Sequence, residues 1–269
     1  MNPLSAKKSL GQHWLFDQAT LKKIVAAGEI TKKDTVLEIG PGRGSLTKLL
    51  LKQAKIVIAV EKDRQLAARL TRSDLVQDRI LHKKLEVVGG DILQFDLGRL
   101  PKGYKVVANI PYYLTSKLLR RLLEDINPPS VMALLVQKEV AERIVARPGQ
   151  MSVLAVSVQY YGTAEIVGMV PKELFKPAPK VDSAIIKIKR RVALPHSPAD
   201  SKKFFRLVKA GFGERRKQLK NSLAGGLRLS LDQAVNNLRS AGINPAVRAQ
   251  ELSLADWRNL YQQIAETID

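Results

Sequence analysis

Three glycines at alternate positions interrupt an apolar run and lead into a helix. The stretch is Thr35-Val36-Leu37-Glu38-Ile39, then Gly40-Pro41-Gly42-Arg43-Gly44, then Ser45-Leu46-Thr47. Glycines in such a loop let the chain turn sharply and let a ligand approach the main chain. A strand–loop–helix of this kind belongs to α/β sheets that bind nucleotides. The G-x-G-x-G spacing differs from the G-x-G-x-x-G of dinucleotide binders, and no Lys-Ser/Thr ending marks a phosphate-binding loop. Glu38, just before the loop, would repel a pyrophosphate. It favours a cationic ligand such as an amino acid or a sulfonium.

Four further apolar runs read as strands, and polar residues stand at their carboxyl ends, where ligands bind in open α/β sheets. Ile56 to Val60 ends in Glu61, an acid placed to accept from two ribose hydroxyls; as a surface acid it would balance Lys62 and Arg64. Leu85 to Gly90 ends in Asp91 and Ile92. Asp91 can accept from an exocyclic amine with Ile92 against the ring, or it can cap the next turn. Tyr104 to Ala108 ends in Asn109-Ile110-Pro111-Tyr112-Tyr113. An amide, nearby carbonyls and an aromatic ring suit a flat heterocycle carrying an amine. The same five residues would also serve as a proline-terminated strand with two packing tyrosines. Val131 to Val136 is the fifth run.

Beyond it, Gln137 to Arg143 starts a helix. Met151 to Tyr161, Glu165 to Val170 and Ser183 to Ile188 read as strands. Phe175-Lys176-Pro177-Ala178-Pro179-Lys180-Val181-Asp182 is a proline-stiffened basic loop. Strands alternating with helices, then strands close together, predict a mixed seven-stranded sheet with helices on both faces. Near Arg190 to Pro198 two prolines make a linker, and the pattern beyond is helical. The expected division is therefore 1–190, including an N-terminal arm 1–17 rich in basic and aromatic residues, and a small all-α part 191–269. In the latter, Phe204, Phe205, Val208, Phe212, Leu219 and Leu223 form an apolar stripe. Arg215, Arg216, Lys217 and Lys220 form a basic cluster between them, either a solvated face or a phosphate contact.

Composition narrows the chemistry. The formal net charge is +20, spread as +13 over residues 1–189 (31 Lys/Arg, 18 Asp/Glu) and +7 over 190–269 (14 and 7). A surplus this large favours a polyanionic partner, nucleic acid ahead of a membrane. The sequence contains no run of about 20 apolar residues and no signal-peptide core at the N-terminus, so a cytoplasmic location is expected. There is no cysteine, and the three histidines, His13, His82 and His196, are far apart. Thiolate chemistry is excluded and no metal site is expected.

Together Glu38 to Gly42, Glu61, Asp91 and Asn109 to Tyr112 resemble the pattern of S-adenosylmethionine (SAM)-dependent methyltransferases. More narrowly, the chain resembles the bacterial 16S rRNA adenine dimethyltransferase family, nearly end to end. The likeness includes Lys7-Lys8-Ser9-Leu10-Gly11-Gln12, Phe175 to Ser183, Phe212-Gly213-Glu214-Arg215-Arg216-Lys217 and Glu251-Leu252-Ser253-Leu254. The resemblance implies a Rossmann-like catalytic domain plus a helical domain that binds rRNA through Arg215, Arg216, Lys217 and Lys220. It implies SAM as cofactor, with Glu38, Gly40 and Gly42 at its methionine part, Glu61 at the ribose, and Asp91 and Ile92 at the adenine. His13 and Leu15 belong to the arm covering the site. Asn109 lies between cofactor and substrate, and Pro111, Tyr112 and Phe175 frame the target adenine. Tyr113 is expected to be a packing residue. The implied partner is the small ribosomal subunit, acted on by a monomer, with a role in its biogenesis. One residue departs: where the family has Gln-Asn-Phe-Leu, this chain has Gln12-His13-Trp14-Leu15. Related enzymes act on large-subunit rRNA, and others of the fold serve as assembly or transcription factors. The glycine spacing and Glu38 disfavour a nicotinamide-dependent oxidoreductase.

Overall fold

The five apolar runs form five adjacent parallel strands. The computed structural model describes residues 6–7, 10–73, 83–194, 197–214 and 216–267. After the short strand β1 (Trp14–Leu15), helix α1 (Gln18–Ala27) begins at Asp17, whose carboxylate accepts from the Thr20 amide at 2.7 Å. Then come β2 (Thr35–Ile39), α2 (Ser45–Gln53), β3 (Ile56–Glu61), α3 (Arg64–Thr71), β4 (Leu85–Gly89), β5 (Lys105–Asn109), α4 (Thr115–Glu124) and β6 (Val131–Gln137). Helix α5 (Lys138–Ile144), helix α6 (Val153–Tyr161) and strands β7 (Gly162–Val170), β8 (Phe175–Lys176) and β9 (Ser183–Arg190) follow.

The main sheet has seven strands in the order β4-β3-β2-β5-β6-β9-β7. Strands β4 to β6 in that order are mutually parallel, and β9 runs antiparallel to β6. The mixed sheet expected from the sequence is present. Side chains alternate across each strand. Val57, Ala59, Val107, Ala133, Leu135 and Ile185 join α1 and α2 in one buried cluster. The intervening Ile58, Val60, Val106, Ala108, Met132, Leu134 and Ile186 are buried as well. Both faces of the sheet are thus covered, as parallel strands require. The chain leaves β2 toward β3 on one side and later returns to place β5 on the other. The switch in winding falls between β2 and β5.

The chain folds into two compact units: Met1–Ala141 with Thr163–Arg190, and Glu142–Gly162 with Arg191–Asp269. The sequence alone places 142–162 in the first part; in the structure this segment packs with the second. Met151 to Tyr161 is also not a strand. It contains α6, capped by Ser152, whose side chain accepts from the Ala155 amide at 3.2 Å. A short, mostly apolar run interrupted by single polar residues is ambiguous by periodicity alone.

The second unit continues with α7 (Pro198–Phe212), α8 (Leu219–Leu227), α9 (Leu231–Ser240) and α10 (Leu254–Ile264). Its core is aromatic: Tyr160 stacks on Phe204 at 4.9 Å, and Phe212 on Trp257 at 5.6 Å. Gly211 lets Trp257 in, because a Cβ there would lie 2.4 Å from the buried indole. Gly211→Ala should therefore destabilise the protein by roughly 1–3 kcal/mol, which outweighs the gain of up to about 1 kcal/mol from removing a helical glycine. Urea unfolding with an unchanged or raised midpoint would contradict this packing.

Candidate active site

The carboxyl ends of β2 and β5, the two strands at the switch, open into a cavity of about 300 Å³ within the first unit. Its lining includes Glu38, Gly40, Gly42, Glu61, Asp91, Ile92, Asn109, Pro111, Tyr112, His13 and Leu15. The structure therefore brings together every residue that the resemblance assigned to the cofactor, along with Asn109, Pro111 and Tyr112. Gly40 and Gly42 have φ of +66° and +56°. A Cβ at Gly42 would only touch the Trp14 ring at an ordinary 3.5 Å, so it is the left-handed turn that calls for glycine there.

Two acids underlie the loop. Glu38 is buried, and among the described residues neither of its carboxylate oxygens has a hydrogen-bond partner. Burial pushes its carboxyl up to about 8; nearby Thr47 offsets this only in part and Glu61 adds to it. The Thr47 hydroxyl itself lacks a hydrogen-bonding partner, so its help is electrostatic proximity rather than a formed bond. Glu61 differs. It accepts from the Gly42 amide at 3.0 Å and the Asp63 amide at 2.9 Å. Burial still raises its carboxyl, against the pull of those amides.

Asp91 makes the turn contact that the sequence offered as one alternative, and adds an ion pair that the sequence did not indicate. One oxygen accepts from the Leu93 amide at 3.0 Å, a local turn contact, while the other pairs with Lys62 at 2.8 Å on the cavity rim. Lys62 holds its carboxyl below the usual carboxylate range.

The N-terminal arm covers the cavity and is tied down by long-range contacts. Strand β1 pairs antiparallel with β8, Leu15 opposite Phe175. Lys7 pairs with Asp63 at 2.9 Å, and Gln12 donates to the same carboxylate at 3.3 Å. Arg43 of the glycine loop lies over the Trp14 ring at 5.0 Å. Sequence reasoning missed Asp63, Gln12 and Arg43. The N-cap role of Asp63 was the one local signal available.

At the end of β5, the Asn109 side-chain amide donates to the His13 carbonyl at 3.1 Å. This bond fixes the amide orientation and leaves Oδ1 as the free acceptor. The Tyr112 hydroxyl is fixed to the Ser183 hydroxyl at 2.7 Å. The His13 ring stacks on Tyr112 at 5.7 Å, and its Nδ1 donates to the Pro177 carbonyl at 2.7 Å. A carbonyl can only accept, so the bond sets Nδ1 as protonated.

Two expectations are corrected. Phe175 does not line the cavity. It is 2% exposed and packs into the core cluster, because its alternation with the exposed Lys176 along β8 turns it inward. Tyr113 is not a packing residue: it is 57% exposed and stands at the cavity wall. Of the basic cluster, Arg215 lies outside the described residues. Arg216 and Lys217 are exposed, Lys220 is half-buried, and Lys217 pairs with Glu214 at 2.6 Å. No group of acids and histidines arranged to hold a metal occurs among the described residues. None of the described helices is long and apolar enough to cross a membrane.

The chain is 43% identical over 270 residues to the ribosomal RNA small subunit methyltransferase A of Dehalococcoides mccartyi strain CBDB1, covering 97% of this chain and 89% of that protein. It is 42% identical to the protein of the same name from Ligilactobacillus salivarius, covering 96% and 89%. Among solved structures it is similar to a dimethyladenosine transferase from Plasmodium falciparum, with a TM-score of 0.81, 26% identity and coverage of 95% and 98%. The 23S rRNA methyltransferase ErmE is also similar, with a TM-score of 0.76, 28% identity and coverage of 94% and 99%. The ribosomal RNA adenine dimethylase family matches residues 4–266. The family match spans nearly the whole of this chain, the chain spans 89% of each of these two relatives, and it is a member of the ribosomal RNA adenine dimethylase family.

Proposed function

We propose that this protein uses SAM to dimethylate the N6 amines of two adjacent adenines near the 3′ end of 16S rRNA in the small ribosomal subunit. The observation that carries the reading is the pairing of Glu38 with Asn109 in one cavity. A buried carboxyl without partners waits for a cation, and an oriented amide offers an acceptor beside it. The donor set fits the cofactor. Glu38 would hold the positive amino end of the methionine part, the Gly40–Gly42 loop would let that part lie close to the main chain, Glu61 would hold the ribose, and Asp91 with Ile92 the adenine. Asp91 would exchange its Lys62 partner for that amine.

When bound, SAM supplies a methyl group on a positively charged sulfur. The adenine amine that takes this methyl would release one proton to solvent. An adenine amine is a poor nucleophile because its lone pair is delocalised into the ring. Accepting its hydrogens at Asn109 Oδ1 and at a main-chain carbonyl near Ile110–Pro111 favours a tetrahedral nitrogen whose lone pair points at the methyl. Positioning and electrostatics carry this step, with no strong base. The adenine must leave its stack to reach the cavity, and the Tyr112 face is where its ring would lie. His13 holds that face in the free protein and would give way to the base. The buried Phe175 would support the wall through β8 rather than stack directly.

The small subunit is favoured over large-subunit rRNA because the relatives at 42–43% identity carry the small-subunit name, against 28% for ErmE. The test is methyl incorporation into undermethylated small subunits against naked 23S rRNA. Labelling of the small subunit alone is expected; labelling of 23S rRNA alone would overturn the substrate. A cytoplasmic, monomeric enzyme accords with this role. Arg216, Lys217 and Lys220 would contact rRNA phosphates, together with Arg215. Replacing Arg216, Lys217 and Lys220 by alanine should reduce the slope of log affinity against log salt by about 2 to 3, near 0.7–0.9 per lost contact. An unchanged slope would assign these side chains to a solvated face.

A further inference from the structure

A second concave surface lies wholly within the helical unit. It is a groove of about 650 Å³ between α7 and α8. One wall carries Lys202, Arg206 and Lys209 of α7; the other is Gly225 and Gly226 near the end of α8. Positions i, i+4 and i+7 share one helix face and rise about 6 Å and then about 4.5 Å along the axis. The three cations thus form a row about 10 Å long. All three are exposed, and neither Lys202 nor Lys209 makes an ion pair among the described residues. The acid at the groove, Glu214, is already paired with Lys217.

The glycines give the groove its shape. At Gly226 a Cβ would sit 2.7 Å from the Ala210 Cβ, so α7 and α8 touch there through bare backbone. At Gly225 a Cβ would meet nothing within 4 Å. The α8 wall opposite the cations is therefore made of small residues, Gly225 and Gly226 with the buried Ser222, and leaves room for a bulky ligand. The last turn of α8 contributes a partial negative charge of about half a unit, which the full charges of Lys202 and Lys209 alone outweigh.

We propose that this groove is a separate binding site for the sugar–phosphate backbone of one rRNA strand, distinct from the cluster at Arg216, Lys217 and Lys220. A linear row of cations facing an open wall of small residues suits a run of phosphates. An isolated small anion would need only one of the three cations. The proposal rests on rRNA being the partner, as argued above.

The test uses the full chain and undermethylated small subunits, with binding measured at several salt concentrations. Lys202→Ala, Arg206→Ala and Lys209→Ala combined should lower affinity at least tenfold and flatten the salt slope by about 2 to 3. Gly225→Glu places a carboxylate in the open groove without a steric clash, and it should lower affinity at least tenfold while the thermal midpoint holds. Unchanged affinity and slope in the triple variant would overturn the proposal. So would a weakened triple variant alongside a normal Gly225→Glu protein, since the cations would then act from outside the groove. If either result comes with a flattened slope for the Arg216, Lys217 and Lys220 variant, the rRNA reading stands and only the groove falls. If the unaltered protein neither binds nor methylates small subunits, the rRNA reading itself fails.

Discussion

Asn109→Ala should lower methyl transfer to small subunits by 100-fold or more while the protein still folds. The expected loss follows from removing one oriented polar group from a reacting centre, about 3–4 kcal/mol of barrier. Folding should survive because Asn109 is the last residue of β5 and its side chain makes one bond, to the His13 carbonyl. Losing a single partly buried bond costs about 1 kcal/mol. That carbonyl belongs to the arm, so a modest loss of SAM affinity is also expected. Turnover and unfolding should be measured on the same preparation. Near-normal turnover would remove Asn109 from the chemistry, whereas a collapsed fold would make it a structural residue.

Glu38→Gln should separate stability from cofactor binding. Burial raises the Glu38 carboxyl to about 8, well above its ordinary value of 4.5. Between those values the folded protein holds a proton that the unfolded chain has released. Stability therefore falls as pH rises through this window, and at alkaline pH the charged carboxylate is buried without a partner. Glutamine keeps the shape and carries no charge. The variant should be more stable than the unaltered protein at pH 8–9, by up to a few kcal/mol, and its stability should depend less on pH. Glu61, also raised, leaves a residual slope of the same sign. The expectation for binding is the reverse. A cation entering the cavity would draw Glu38 into its charged form, so SAM affinity should rise from pH 6 to 8 with proton release. Glu38→Gln should bind SAM at least tenfold more weakly, without that proton release. Calorimetry in two buffers of different ionisation enthalpy reads both quantities. Equal affinity and equal proton release in the variant would remove Glu38 from the cofactor site.

The parts of the molecule legible in the sequence are those governed by local rules. Apolar runs such as Ile56 to Val60 must be buried on both faces, so they announce parallel strands, and a polar residue at the end of each marks the sheet's ligand edge. Helix α10 begins at Ser253, whose hydroxyl accepts from the Asp256 amide at 3.1 Å, and that cap is written in the sequence. Helix α6 reads as a strand because Val153 to Val158 is apolar and β-branched enough for either state. Ser152 ahead of it is the available start signal. What is not legible depends on contacts across the chain. The pairing of Leu15 with Phe175 turns the phenyl ring into the core, although the loop around it reads as a binding loop. Asp63 draws Lys7 and Gln12 across more than 50 positions, and no spacing rule reports that. His13 occupies the face of Tyr112, a fact that needs three segments in place at once.

Asn109, Tyr112 and the Glu38 cavity are together assigned the dimethylation of adenine at N6. Mass mapping of small-subunit rRNA after reaction with SAM tests this assignment most directly. Two adjacent nucleotides near the 3′ end of 16S rRNA should each gain two methyl groups on N6, and with Asn109→Ala neither should be appreciably methylated in the time the unaltered protein takes to complete the reaction. Methyl groups on another base or another atom, or full dimethylation by Asn109→Ala, would contradict it.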